Sequence, residues 1–164
     1  MAIVNRTVSG VLLLALGALA VGQLGLLKGS MPNDLGVSNG RLKPPALTPN
    51  SVSSQAALYP DHPQRAFADI APLVLTGDGQ TTLAKIKALA QARADVEVVK
   101  SEPDYLYLQF TSRLMKYVDD VEFWYDPANQ VVQVRSASRL GGSDLGVNRR
   151  RVESMRAELA KLSK

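Results

Sequence analysis

Apolar and polar positions divide this chain into three stretches with different periods, and each period predicts a different kind of structure. Between residues 7 and 27 no charged side chain occurs. Val8, Val11, Leu12, Leu13, Leu14, Leu16, Leu19, Val21, Leu24, Leu26 and Leu27 fill that interval, bracketed by Arg6 and Lys28. No polar face remains, and about 20 apolar residues are enough to cross a bilayer. Residues 30–72 show no period and hold seven of the nine prolines, which excludes a long helix or a central strand. A loop of that length in a compact domain packs on the fold or serves a site.

Regular periods begin after the turn signal Gly77-Asp78-Gly79. Leu83, Ile86, Leu89 and Ala90 recur at helical spacing, which predicts an amphipathic helix over 81–94. Strand patterns follow at 96–100, 105–111, 121–125 and 131–135, rich in β-branched and aromatic residues and broken by Pro127-Ala128-Asn129-Gln130. Val152, Met155, Leu159 and Leu162 predict a last helix over 148–162, with Asn148 as its cap. The order predicts an α+β fold: one antiparallel four-stranded sheet with two helices on one face, preceded by a proline-rich loop segment and an N-terminal transmembrane or signal helix. Residues 1–30 then form a signal anchor or signal peptide. Residues 31–164 form a single exported domain, a loop-rich leader over 31–76 and a helix, four strands and a helix over 77–164.

With 46% apolar residues in 164, the chain fits one globular domain plus that extra segment. Two export devices fit residues 1–30. Ala18-Leu19-Ala20 offers cleavage of a secretory signal after Ala20. An uncleaved anchor is favoured, because cleavage leaves the apolar end Val21-Gly22-Gln23-Leu24-Gly25-Leu26-Leu27. The expected location is the inner membrane, single-pass, with the C-terminal domain in the periplasm, or the periplasm itself after cleavage. Cysteine is absent, which removes disulfides, thiolate metal sites and thiol nucleophiles.

Charge is segregated. Residues 95–126 hold eight acids against three bases, and residues 127–164 hold eight bases against three acids. The blocks neutralise each other, which argues against nucleic acid as a partner.

Chemistry concentrates at residues 135–151, where five arginines alternate with serines, glycines and an aspartate. The glycine turn and the following helix start suit phosphate, sulfate or carboxylate. Arg149, Arg150 and Arg151 oppose the helix dipole at a cost of about 0.3–1 kcal/mol each unless anions compensate. Candidate ligand-binding residues are Ser53, Ser54, Arg113, Arg135, Ser136, Ser138, Arg139, Asp144, Asn148 and Arg149. Asp119, Asp120 and Glu122 form a candidate carboxylate cluster, either ligand-facing or paired with arginines on neighbouring strands. In an extended segment Asp120 and Glu122 share one face and Asp119 takes the other. Tyr105 and Tyr107 either pack a sheet face or line a pocket for a lipid-like ligand. His62, the one histidine, sits between prolines as a surface residue. Phosphate-loop, dinucleotide and serine-hydrolase motifs are missing, and no metal, cofactor or catalytic residue is assigned.

These residues carry a resemblance. Pro32-Asn33-Asp34-Leu35-Gly36-Val37, Gly40-Arg41-Leu42, Pro49-Asn50-Ser51-Val52-Ser53-Ser54-Gln55-Ala56, Asp104-Tyr105-Leu106, Ser112-Arg113-Leu114, Val118-Asp119-Asp120-Val121-Glu122-Phe123, Arg135-Ser136-Ala137-Ser138-Arg139-Leu140-Gly141 and Ser143-Asp144-Leu145-Gly146-Val147-Asn148-Arg149-Arg150-Arg151-Val152-Glu153 resemble domain-of-unknown-function family 1499. The resemblance implies envelope targeting in bacteria or association with plastids in plants, and no assigned activity. Similar sequences often have a cysteine pair where this chain has Pro45 and Ser51, so other contacts must hold the loop here.

The reading is a membrane-tethered, non-catalytic module that binds an anionic or amphiphilic ligand or an envelope partner. Alternatives are a hydrolase-type or metal-assisted enzyme using Asp119, Asp120 and Glu122, and a purely structural interaction module.

Overall fold

A computed structural model describes residues 2–162, apart from the side chains of residues 2–7 and of Ser9. The elements in chain order are α1 (Ala2–Gln23), β1 (Ser51–Ser53), a 3-10 turn (Ala56–Leu58), α2 (Arg65–Ala68), β2 (Leu73–Val74), α3 (Gly79–Gln91), β3 (Val96–Ser101), β4 (Tyr105–Thr111), β5 (Val118–Asp126), β6 (Val131–Ser138) and α4 (Val147–Lys161). The strands form one antiparallel sheet in the order β1-β6-β5-β4-β3, and β2 also pairs with β6. The class is therefore α+β, with six strands and four α-helices among the described residues.

The expected four strands are present, and two more come from the leader. Ser51, Val52 and Ser53 pair with Ala137, Ser136 and Arg135, and Leu73 and Val74 pair with Val132 and Val131. Both strands are too short for a period of two to show in the sequence. They extend the sheet because β6 offers an unpaired edge beyond β5, and buried backbone donors and acceptors must be matched.

Alternation along each strand decides the layers. Leu106, Leu108, Phe110, Val121, Phe123, Val132 and Val134 face Leu83, Ile86 and Ala90 of α3 and Val152, Met155 and Leu159 of α4. Each large side chain so buried contributes about 1.5–3 kcal/mol. The opposite sheet face is also covered, by the leader: Leu42 packs with Tyr105, Tyr107 and Trp124, and Leu35 borders them. Inside the leader, Leu42 N donates to Gln55 Oε1 at 2.8 Å, and Gln55 Nε2 donates to Gly40 O at 3.0 Å. Ala46 N donates to Ser51 Oγ at 2.8 Å, closing the loop that has no cysteine pair.

Helix α3 is capped by Asp78, whose carboxylate accepts from Thr81 N at 2.7 Å. This bond holds the Asp78 carboxyl below its ordinary value. Helix α4 starts after Gly146, at φ 77°. Asn148 lies within its first turn instead of capping it. Asp144 takes the capping role, accepting from Gly146 N and Asn148 N at 2.8 Å each.

The N-terminal apolar stretch departs from expectation. Helix α1 ends at Gln23, and Gly25 and Gly29 follow at φ 77° and 68°, a left-handed backbone that turns residues 24–29 off the helix axis. Among the described residues no helix is long and apolar enough to cross a membrane.

Candidate functional site

Hairpin register places four polar side chains on the leader-covered face of the sheet. Glu122 stands opposite Tyr107 on one side and Arg135 on the other, and Asp120 stands opposite Gln109 and Ala137. All four of Asp120, Glu122, Arg135 and Tyr107 are buried, so each charge must find its partners within the fold.

Asp120 does so fully. Arg139 grips it bidentately, Nε to Oδ2 at 2.9 Å and Nη2 to Oδ1 at 2.7 Å, and the Tyr107 hydroxyl donates to Oδ1 at 2.5 Å. Gln109 Nε2 donates to that hydroxyl at 2.8 Å. Burial, then the Asp120 hydrogen bond, pushes the Tyr107 phenol up, and the Asp120 hydrogen bond raises Arg139 further above its ordinary value.

Glu122 is satisfied on one oxygen only. Its Oε1 accepts from the Tyr105 hydroxyl and from Gly36 N, both at 2.8 Å. Gly36 has φ 117°, so a glycine is what lets the leader backbone reach the carboxylate. Burial, followed by the Glu122 charge, drives the Tyr105 phenol far up, keeping it a neutral donor. Glu122 Oε2 has no hydrogen-bond partner among the described residues. It faces Arg135 Nη1 at 3.5 Å.

Arg135 is the cation that faces this carboxylate. It is 4% exposed, and among the described residues its one hydrogen bond runs from Nε to Pro44 O at 3.2 Å. Burial pushes this guanidinium down, opposed by the charges of Glu122 and Asp120. Its side chain lines a cleft of about 350 Å³ together with Lys43, Pro45, Ala46, Asp120 and Arg139. Lys43 pairs with Asp34 at 2.6 Å.

The other sequence candidates lie elsewhere. Asp119 is on the helix side, bound by Arg151 Nη2 at 2.5 Å, so the three carboxylates do not converge. Among the described residues no group of three or more histidines, cysteines or carboxylates is placed to hold a metal. Ser136 donates to Asn148 Oδ1 at 2.5 Å. Asn148 Nδ2 donates to Asn50 O, Ser138 Oγ and Asp144 Oδ2, which ties leader, sheet edge and α4 together. Ser53, at the end of β1, accepts from Gln55 N, and Ser54, in the turn that follows, bonds Gln133 and Val134; neither lines the cleft. Arg149 donates to Phe67 O at 2.6 Å, and Arg113 is exposed. The geometry thus brings Asp120, Arg135, Ser138 and Arg139 into one cleft and distributes the remaining candidates over a scaffold network and the surface. Lys43 was not among the candidates, and Tyr105 and Tyr107, expected to pack a sheet face or line an apolar pocket, instead donate their hydroxyls to Glu122 and Asp120. Register was the missing signal, since counting back from the β4–β5 loop places both tyrosines beside Asp120 and Glu122.

The family described as Protein of unknown function (DUF1499) matches residues 41–159. The chain belongs to the DUF1499 family. The matched span holds β1 to β6, α3, most of α4, Lys43 and both polar networks, while α1, Asp34 and Gly36 precede it. No curated protein and no solved structure matches the chain.

Proposed function

We propose that this DUF1499 protein is a non-catalytic binding module whose cleft takes the anionic head, carboxylate or phosphate, of a small or amphiphilic ligand. Residues 1–30 hold it on the periplasmic side of the inner membrane. The observation that carries the reading is Arg135: a buried guanidinium that, among the described residues, makes one hydrogen bond and one ion pair at 3.5 Å, and that lines an open cleft. Buried polar groups are normally hydrogen-bonded, and planar two-point recognition of carboxylate or phosphate is what a guanidinium offers. Lys43, paired with Asp34, also lines the cleft.

Thermal unfolding of the full chain tests this, with inorganic phosphate or acetate titrated against sodium chloride at equal ionic strength. Saturable stabilisation is expected, lost in Arg135→Lys, which removes the fork, and in Ala46→Phe, which fills the cleft and leaves the charge pairs in place. No stabilisation of the unmodified chain, or an equal response in both variants, sinks the proposal.

A specific observation favours a second reading, a structural interaction module. Asp119 and Asp120 are both gripped by arginines, Arg151 and Arg139, so these two arginines are consumed in tying α4 and the end of β6 to β5. In that case the same titration shows no saturable effect.

A further inference from the structure

The end of the domain from which α1 leaves carries features that neither the cleft nor the core uses. Val11, Leu12, Leu13 and Leu14 occupy successive positions of α1, and each is more than half exposed. At 3.6 residues per turn, four successive positions go right round the helix. A protein partner covers one face of a helix, whereas a surface apolar on all sides calls for a medium that surrounds it. Lipid is that medium.

The helix is seated on the loop between β4 and β5. Gln23 Nε2 donates to Leu114 O at 2.8 Å. Gly22 lies so close to Met115 that a Cβ there would stand 2.8 Å from its carbonyl oxygen. The β4–β5 and β6–α4 loops around this seat expose apolar side chains: Leu145 is 83% exposed and Leu114 64%, with Leu140 and Tyr117 near 40%. Leu27 joins Tyr117, Leu140 and Leu145 around a cleft of about 400 Å³. Leu145 also holds φ 52°, a backbone that costs a residue with a Cβ about 1–2 kcal/mol and that glycine or asparagine tolerates better. Packing within the fold does not explain a leucine at that exposed position.

Charge completes the pattern. Lys28 and Arg113 are exposed and Lys116 half-buried at this end, and none forms an ion pair among the described residues. The tips at the opposite end, residues 102–104 and 127–130, hold Glu102 and Asp104 and no leucine or aromatic residue.

We infer that the two leucine-tipped loops form a second lipid contact: Leu114, Leu140 and Leu145 enter the interfacial layer of an anionic bilayer beside α1, while Lys28, Arg113 and Lys116 meet its headgroups. Apolar insertion and basic attraction reinforce each other at such a surface. The inference rests on the membrane placement proposed above for residues 1–30, and its test separates the two.

The chain has no cysteine, so single substitutions Leu114→Cys, Leu145→Cys and Asn129→Cys in the full chain each accept one environment-sensitive fluorophore. Vesicles of phosphatidylcholine and phosphatidylglycerol, with and without brominated acyl chains, supply the surface. Labels at 114 and 145 are expected to shift to the blue and to be quenched by bromine several-fold more than the label at 129. Lys28→Glu, Arg113→Glu and Lys116→Glu together should reduce that quenching. Vesicle binding with the labels at 114 and 145 still in water overturns the inference and leaves the tether standing. Failure to bind at all overturns both.

Discussion

Two carboxylates of this protein are paired with cations at very different depths, and depth decides what each pair is worth. Asp120 and Arg139 have side chains 3% and 7% exposed, whereas Asp34, paired with Lys43, is 57% exposed. Removing one partner of a buried pair leaves an uncompensated charge and costs about 3–5 kcal/mol. An exposed pair is screened and contributes about 0–1 kcal/mol. Asp120→Asn should therefore lower the melting temperature sharply, and Asp34→Asn should barely move it. A double-mutant cycle with Arg139→Gln should return a large coupling for Asp120. Asp126 gives the pH counterpart. Burial alone raises its carboxyl, but hydrogen bonds from Asn129, Gln133 and the Ala128 amide outweigh it and hold the group below its ordinary value of 3.8. A depressed folded pKa means that its stabilisation is complete above the unfolded value and is lost as pH falls through the folded one. Denaturant unfolding between pH 6 and 2 should show stability falling below about pH 4, with a shallower fall in Asp126→Asn.

At the scale of elements, intrinsic propensity and packing conflict at the start of α3. Alanine is favoured over glycine in a helix by about 1 kcal/mol. Gly79, though, lies directly against the Tyr125 ring, closer than any added carbon can fit. Packing should win, because the half-buried Tyr125 ring is packed against the core and overpacking costs about 1–3 kcal/mol. Gly79→Ala should thus lower stability in chemical denaturation, opposite to the propensity scale. The same balance separates what the sequence showed from what it concealed. Helices α3 and α4 and strands β3 to β6 were legible because each repeats its apolar period over several residues. Strands β1 and β2 were not, since a strand of two or three residues is set by the free edge it meets and not by its own pattern. The site was half legible. Alternation separated Asp119 from Asp120 and Glu122, but the partners of Glu122 come from Gly36 and Tyr105, 86 and 17 positions away. Such pairings depend on how the leader drapes over the sheet, which no local pattern encodes.

At the scale of the whole molecule, the leader is part of the protein's interior and not a tail. It covers the face that carries Asp120, Glu122, Arg135 and Trp124, and without it three buried ions and three aromatic rings would meet water. Leu42 is its anchor, 1% exposed against Tyr105, Tyr107 and Trp124. Truncating a buried leucine costs about 2–5 kcal/mol. Trp124 is the one tryptophan of the chain, so its emission reports this interface directly, while far-ultraviolet circular dichroism reports the sheet and helices as a whole. If leader and sheet form one cooperative unit, Leu42→Ala should lower both unfolding midpoints together and keep the two curves coincident. If the leader is only a cover over an independently stable sheet, the tryptophan should redden at a lower denaturant concentration than the one at which secondary structure is lost. Coincidence is the expected result, because β1 and β2 are leader segments built into the sheet edge and Asn148 of α4 is bonded to Asn50 of the leader. The leader thus cannot lift away without breaking the sheet edge and freeing the start of α4.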